Sequence, residues 1–243
     1  MSEPVPLSFE RHGKLKLSEP ENYQRFASEN LVPVVFQEFY KLATEFPLVF
    51  VRHKQSSELI PVAMMGFKKG TNVYCQGAHW GPSYLPASFT VAPFLVTRLD
   101  LEKEEIDADV SVDEDSPLLN EVIGEALYDA NGEQTEFLKK RIEHVVTVTK
   151  QTLQARAMTR RLVDKNLLRS RPMSIQYSQD SPKYELDGIY TIDEEALEAL
   201  GGEEYLKLRQ RGLLPLIYAH LSSLHQISRL ARLQFQADQA ETS

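Results

Sequence analysis

The segment 75–86 holds the densest set of residues that could do chemistry. It contains the single cysteine of the chain, Cys75, and the single tryptophan, Trp80, together with His79 and Tyr84. Two glycines let its backbone turn and two prolines stiffen it. Trp80 and Tyr84 could wall a pocket for a planar ligand or for a partner's side chain, or they could only anchor the loop. We predict His79, Trp80 and Tyr84 as ligand- or partner-binding residues.

Few residues support metal or nucleotide chemistry. Cys75 and His79 are two potential metal ligands without a third nearby. His220 and His225 are five residues apart, which is about 140° around a helix, so they cannot both face one ion. The sequence also lacks a dinucleotide fingerprint, a phosphate loop and a serine-nucleophile elbow. We therefore predict no metal and no cofactor, and the pattern identifies no catalytic residue.

A small antiparallel sheet is expected to position this segment. The short apolar runs 48–51, 60–67 and 72–75 are separated by polar loops, which is typical of strands. A further strand is predicted over 91–99. The segment 106–112 alternates apolar and polar residues, which predicts a half-exposed edge strand.

A helix is predicted from Val35 to Phe46, because apolar residues recur there at spacings of three and four. Pro47 ends it, since proline disfavours the helical conformation of the residue before it. Glu38 and Glu45 lie seven residues apart near one face of this helix and could form a carboxylate pair. Exposed helix glutamates are common, however, so we make no site prediction from them.

The second half of the chain is mainly helical in pattern. A long helix is predicted after Gly132, and 174–177 with 184–190 flanks a polar turn and predicts a β-hairpin. The run 191–194 has the form of a capping box at a helix start. Pro215 lies in the first turn of a last predicted helix.

These patterns predict an α+β fold. Its N-terminal part, 20–135, is a mostly antiparallel sheet with a helix, and its C-terminal part, 136–235, is helical and interrupted by one β-hairpin. The two parts could form one continuous domain. The polar residues 236–243 are predicted to be a disordered tail.

Composition limits the functions further. The 243 residues are 42% hydrophobic and 26% charged, and the net charge of -8 argues against a primarily nucleic-acid-binding protein. The first residues lack the apolar run of a signal peptide, and no stretch has the length and hydrophobicity of a membrane span. We expect a cytoplasmic protein without a membrane span.

Charge is unevenly distributed along the chain. The segment 102–136 holds thirteen acidic residues and one lysine, whereas 139–171 holds ten basic and two acidic residues. The two blocks could screen each other within the fold. Alternatively, the basic block could bind an acidic partner or a phosphate backbone.

Several blocks, taken together and in order, resemble the bacterial SapC family over about residues 20–235. They are 46–50 (FPLVF), 63–66 (AMMG), 77–80 (GAHW), 84–87 (YLPA), 126–132 (ALYDANG), 186–194 (LDGIYTIDE) and 217–224 (IYAHLSSL). The chain departs from the family at 90–93, where we would expect an arginine shortly before the Pro93–Phe94 pair. This is the surface-layer-associated family, and the absence of membrane spans separates the chain from a peptide-transport permease of the same name.

The resemblance implies no established catalytic residues. It suggests accessory work linked to nutrient uptake or to surface-layer biology in bacteria. We expect another protein as the partner and, from the net charge, no nucleic acid. We therefore expect a non-enzymatic accessory or partner-binding protein. The alternative is an oxygenase-like or peptide-modifying enzyme whose site would centre on the loop from His79 to Tyr84.

Overall fold

A computed structural model of the protein describes residues 3–76, 79–100, 107–179 and 181–242. The helices in chain order are α1 (Phe9–His12), α2 (Phe39–Leu42), α3 (Glu136–Asp164), α4 (Glu194–Glu198), α5 (Gly202–Gln210), α6 (Leu213–Ser223) and α7 (Gln226–Thr242). The strands are β1 (Val5–Pro6), β2 (Lys16–Leu17), β3 (Leu31–Pro33), β4 (Leu48–Arg52), β5 (Leu59–Met64), β6 (Cys75–Gln76), β7 (His79–Trp80), β8 (Phe94–Asp100), β9 (Asp107–Val112), β10 (Leu119–Asn120), β11 (Glu125–Ala126), β12 (Leu168–Ser170), β13 (Met173–Gln176), β14 (Lys183–Leu186) and β15 (Ile189–Ile192). The described strands pair antiparallel, and the predicted α+β class is confirmed.

The contacts divide the chain into two compact units. The first comprises Met1–Glu21 and Ala87–Gln151, and the second comprises Asn22–Pro86 and Thr152–Ser243. Each unit therefore combines two separate stretches of the chain, and helix α3 contributes residues to both. The boundary expected at residue 135, between a sheet-containing part and a helical part, stays a prediction.

The first unit contains two three-stranded sheets, with strand orders β1-β9-β8 and β10-β2-β11. Their apolar faces and the first part of α3 share one hydrophobic core, whose buried members are Leu17, Phe94, Val112, Leu118, Leu127, Tyr128, Leu138 and Val145. The predicted edge strand over 106–112 is wrong in its position, because β9 pairs with β8 on one side and with β1 on the other. Residue 106 itself lies outside the described residues. The third strand comes from the N-terminus, which the local alternation of 106–112 cannot show.

An arginine reaches the segment 90–93 of the first unit from helix α3. Arg141 Nη2 donates hydrogen bonds to the carbonyl oxygens of Thr90 and Ala92, at 3.1 and 3.3 Å. His144, from the same helix, lies with its Nε2 2.7 Å from Thr90 Oγ1. A guanidinium therefore stands beside this segment, supplied by the helix and not by the loop before Pro93.

The second unit is built on a five-stranded sheet with the order β12-β15-β4-β5-β3. Every residue of β5 is buried, which agrees with its continuous apolar sequence. Helix α6 contacts this sheet, and the Oγ of Ser223 accepts a hydrogen bond from the backbone N–H of Leu48 at 2.9 Å. The largest fully buried side chains of the unit are Phe39, Leu42, Phe46, Leu48, Phe50, Met64, Met65, Leu167 and Ile192.

The helix predicted over 35–46 is much shorter than expected. A 3-10 turn at Phe36–Glu38 leads into the single turn of α2, Phe39–Leu42. The 3–4 apolar spacing nevertheless predicts the buried positions correctly, since Phe36, Phe39, Leu42 and Phe46 are all buried. A run of buried residues fixes which side faces the core but not how far the helical hydrogen bonds extend.

The hairpin predicted over 174–177 and 184–190 is confirmed for β13 and β14, which pair in the register Met173 to Leu186 and Gln176 to Lys183. Its second arm ends earlier than predicted, because residues 189 and 190 belong to β15 of the five-stranded sheet. The capping box predicted at 191–194 is wrong. Thr191 belongs to β15, and the helix α4 is capped by Asp193, whose carboxylate accepts a hydrogen bond from the N–H of Ala196 at 3.2 Å.

The structure also differs from the prediction at the C-terminus, where α7 continues to Thr242 through the segment expected to be a disordered tail. Its polar residues bind the rest of the second unit. Gln234 is buried and its Oε1 accepts a hydrogen bond from the N–H of Phe67 at 3.0 Å. Asp238 accepts hydrogen bonds from Lys68 and Tyr184. Polar composition therefore does not indicate disorder here, because these polar groups have partners within the fold.

Within the part of the chain that the structure describes, no helix combines the length and the hydrophobicity needed to cross a lipid bilayer.

A buried histidine sits under the sheet of the second unit. His220 is inaccessible to solvent, its ring lies 5.2 Å from that of Phe50, and its Nε2 accepts a hydrogen bond from the N–H of Ile192 at 3.1 Å. Burial, with a smaller contribution from the charge of Arg171, lowers the pKa of His220 to about 4. The native protein therefore holds this imidazole neutral.

We predict that His220 makes the protein acid-sensitive. Its native pKa lies below the unfolded value of about 6.5, so the unfolded chain binds the proton first as pH falls. The stabilisation is complete above about pH 6.5 and is lost progressively toward pH 4. The free energy of unfolding in urea should fall by about 1–2 kcal/mol more between pH 7 and pH 5 in the wild type than in His220→Gln. Equal losses in the two proteins would contradict this assignment.

Candidate functional site

The predicted site begins on a two-stranded ribbon in the second unit. Strand β6 pairs with β7, so that Cys75 faces Trp80 and Gln76 faces His79. Gly77 and Ala78, between the strands, lie outside the described residues. Successive side chains of a strand point to opposite faces. Trp80 is accordingly buried, whereas its neighbour His79 is exposed.

Trp80 is the anchor of the loop that follows. It is 8% exposed, and its ring lies 6.1 Å from the ring of Phe46 and 6.5 Å from that of Tyr74. The ring of Tyr23 also lies 6.1 Å from that of Trp80. The indole Nε1 donates a hydrogen bond to the carbonyl oxygen of Tyr84 at 3.2 Å, which closes the loop onto its own start. The indole N–H of Trp80 thus has a hydrogen-bond partner while the apolar surface of the ring is buried.

Glu45 fixes the middle of the loop. One carboxylate oxygen accepts hydrogen bonds from the N–H and the hydroxyl of Ser83, at 3.1 and 2.7 Å, and the other pairs with Arg229 at 2.8 Å. The backbone oxygen of Glu45 accepts a hydrogen bond from the Tyr74 hydroxyl at 3.1 Å. Partial burial alone would raise the pKa of Glu45, but the hydrogen bonds from Ser83 and Arg229 outweigh it, so this pKa lies below its usual value.

Glu38 fixes the end of the loop. It is buried, and its Oε1 accepts a hydrogen bond from the N–H of Val35 at 3.1 Å. The hydroxyl of Tyr84 donates to the same carboxyl group, and Lys41 Nζ lies 5.0 Å above the Tyr84 ring. Burial raises the pKa of the Tyr84 hydroxyl, and the nearby charge of Glu38 and the hydrogen bond to it raise this pKa further. The Tyr84 hydroxyl therefore stays protonated at neutral pH. Its hydrogen bond to Glu38 keeps the half-buried ring in place at the surface.

The two glutamates that could have formed a carboxylate pair are thus bound by different parts of the loop, Glu45 by Ser83 and Glu38 by Tyr84. Sequence analysis missed this role. Glu45 and Ser83 are 38 residues apart, and nothing in either local pattern links them. Hydroxyl-bearing residues following a Gly–Pro turn are a weak signal for such a contact, because they are as common in solvated loops.

Cys75 and His79 stand on the ribbon but are in different environments. Cys75 is half-buried, and its thiol donates to the carbonyl oxygen of Tyr23 at 3.6 Å. Burial raises the pKa of Cys75 to about 11, so the thiolate that would act as nucleophile or metal ligand is disfavoured at neutral pH. Among the described residues, no three His, Cys, Asp or Glu side chains are grouped so as to hold a metal ion. The expected lack of a metal and a cofactor stays a prediction.

The outward-facing side chains around this loop define a surface that we term the aromatic face. We group under this name Tyr40 and Lys41 of α2 with His79 and Tyr84 of the loop, and the observed contact among them is that of Lys41 with the Tyr84 ring. Tyr40 is 58% exposed, Lys41 and His79 are exposed, and Tyr84 is half-buried. The structure therefore separates the three predicted site residues, with Trp80 in the interior and with His79 and Tyr84 toward solvent. Tyr40 and Lys41 were not predicted, since both lie in a helix assigned to the core.

We predict different effects of truncating the two aromatic residues. Trp80→Ala should leave a cavity beside Phe46 and Tyr74 and lower the free energy of unfolding by about 3–5 kcal/mol, seen as a large drop in melting temperature. Tyr84→Ala removes a half-buried ring and one hydroxyl contact and should cost about 1 kcal/mol. Tyr84→Phe keeps the ring and reports the hydroxyl alone. A wild-type melting curve for Trp80→Ala together with unfolding of Tyr84→Ala would reverse the two roles.

No curated protein and no solved structure matches the chain. A sequence model of the SapC family matches residues 7–230, which includes the ribbon, the loop and both glutamates. The match covers most of the 243 residues, and the chain therefore belongs to the SapC family.

Proposed function

We propose that this SapC family member is a non-enzymatic accessory protein that binds another protein through its aromatic face. One observation carries the proposal: the loop beneath that face is fixed by internal contacts while His79, Lys41 and Tyr40 point to solvent. A surface that is ordered before binding loses little conformational entropy on association. Tyrosine is also enriched at the centres of protein interfaces, since it offers a large apolar ring with a polar end.

The polar groups of the loop support binding more than catalysis. A general base or a nucleophile must be free to accept or release a proton toward a substrate. Glu45 is bound by Ser83 and Arg229, and Glu38 is bound by Tyr84 and the chain near Val35. These carboxylates serve to hold the surface in shape. An enzyme centred on the loop from His79 to Tyr84 has no comparable support.

Ion pairs in the second unit support a protein partner over a nucleic acid. Arg160 pairs with Glu58 at 2.6 Å, and Arg169 lies 3.6 Å from Asp193. Lys165 is bound by Glu204. These acidic partners lie outside the acidic block 102–136, so these basic residues pair with other segments of the second unit, whereas Lys139 pairs with Glu136 of the acidic block. Paired cations release fewer counterions to a phosphate backbone than free ones.

The setting of this function is proposed on the family alone. We place the protein in the bacterial cytoplasm, where accessory work for nutrient uptake or for the surface layer would bring it to a protein partner.

The test is capture of partners from the native host. Wild-type protein and the variants Tyr40→Ala, Tyr84→Ala and Tyr218→Ala should be immobilised in equal amounts and the bound proteins identified by mass spectrometry. Tyr218 is the matched control, because it is a 50% exposed tyrosine of the same unit, on α6, outside the aromatic face. We expect one stoichiometric partner whose capture falls by about tenfold or more in the first two variants and is unchanged in the third.

Two results would contradict the proposal. One is a partner captured equally by all four proteins, which would place the interface elsewhere. The other is turnover of a small molecule that is lost in His79→Ala while partner capture persists, which would assign an enzyme to the loop. Melting curves of each variant exclude loss of folding as the cause.

A further inference from the structure

A polar cleft in the second unit lies outside the aromatic face. The cleft has a volume of about 470 Å³, within the range of small-molecule sites. One wall is the segment 171–175, which leads from β12 into the hairpin. The lining also includes Leu224, His225 and Ser228 from the corner between α6 and α7, and Thr191 of β15.

Arg171 is the cation of this cleft. Its guanidinium is exposed and has no ion-pair or hydrogen-bond partner within the described part of the chain. Its neighbour in sequence, Arg169, has Asp193 as a partner. Arg171 and His225 also line an adjoining cleft of about 440 Å³, so the guanidinium stands where two hollows meet. An unpaired arginine in a concave site is a ready donor to a carboxylate or a phosphate.

The hydroxyl of Thr191 is a second, independent indication of a ligand, because it lacks a hydrogen-bond partner. Its side chain is inaccessible to solvent and lines the cleft, yet its Oγ1 has no hydrogen-bond partner. Buried hydroxyls are nearly always satisfied in folded proteins, because leaving one unpaired is costly. A ligand oxygen that reaches Oγ1 through a small shift of the cleft lining would supply the missing contact.

The remaining lining selects the type of ligand. The first turn of α7, with Ile227 and Ser228, borders the cleft, and the positive end of a helix favours a negative charge. Ile175 and Leu224 add apolar surface. The cleft offers one unpaired guanidinium, and the carboxylate of Glu194 in the adjoining cleft would repel further negative charge. A ligand with one negative charge therefore fits better than a ligand with two.

We propose that this cleft binds a small organic carboxylate, with Arg171 pairing with the carboxylate, Thr191 within hydrogen-bond reach of it, and a short apolar chain lying against Ile175 and Leu224. The site is separate from the protein partner of the aromatic face and does not depend on it.

The test uses hexanoate as the probe, followed by NMR chemical-shift titration of the intact protein, with hexanamide and inorganic phosphate as comparison ligands. We expect hexanoate to bind with a dissociation constant below about 10 mM and to bind more tightly than either comparison ligand. Arg171→Gln should weaken hexanoate binding by about tenfold. Arg161→Gln is the matched control, because it removes an exposed positive charge from α3 of the same unit and should bind like the wild type.

Thr191→Val keeps the shape of the side chain and removes only the hydroxyl. We expect it to melt at or above the wild-type temperature and to bind hexanoate several-fold more weakly. Equal binding of hexanamide and hexanoate, or unchanged hexanoate binding in Arg171→Gln, would overturn the proposal. So would the absence of any shift at about 10 mM hexanoate, since the cleft would then not be a carboxylate site.

Discussion

The packing of Trp80 against Phe46 and Tyr74 is the constraint on which the rest of the candidate site depends. It holds the ribbon β6–β7 against Phe46, which precedes β4, and lets the indole N–H reach back to the carbonyl of Tyr84. With the loop closed in this way, Ser83 comes within hydrogen-bond distance of Glu45. The carboxylates of Glu38 and Glu45 then bind the loop through hydrogen bonds. This polar network and the apolar packing of Trp80 therefore restrict the same few residues.

This arrangement supports the proposed binding role over a catalytic one. The two carboxylates near the loop, Glu38 and Glu45, are both occupied in holding it, and the thiol of Cys75 is kept protonated by its half-buried position. What remains outward is a set of aromatic and basic side chains on a fixed support. Such a surface gains affinity from preorganisation, since the loop has already lost its freedom on folding.

Burial was largely predictable from the sequence, whereas contacts between distant segments were not. The spacing of Phe36, Phe39 and Leu42 correctly identified buried positions, although the helix proved to be one turn long. The hairpin β13–β14 and the family blocks were local patterns and were recovered. The position of β9 between β1 and β8 depends on pairing across more than 100 residues, which periodicity does not encode. The roles of Glu38 and Glu45 and the polar contacts of α7 were missed for the same reason.

The central claim is that Trp80 holds the loop before any partner binds. Because Trp80 is the only tryptophan, its fluorescence reports this position alone. The most direct measurement is acrylamide quenching of the free protein, with the unfolded chain as the reference. We expect emission at a shorter wavelength than in the unfolded chain, and weak quenching. The reason is that Trp80 is only 8% exposed and its indole is packed among aromatic rings. Emission and quenching equal to those of the unfolded chain would show an exposed tryptophan and would contradict the account.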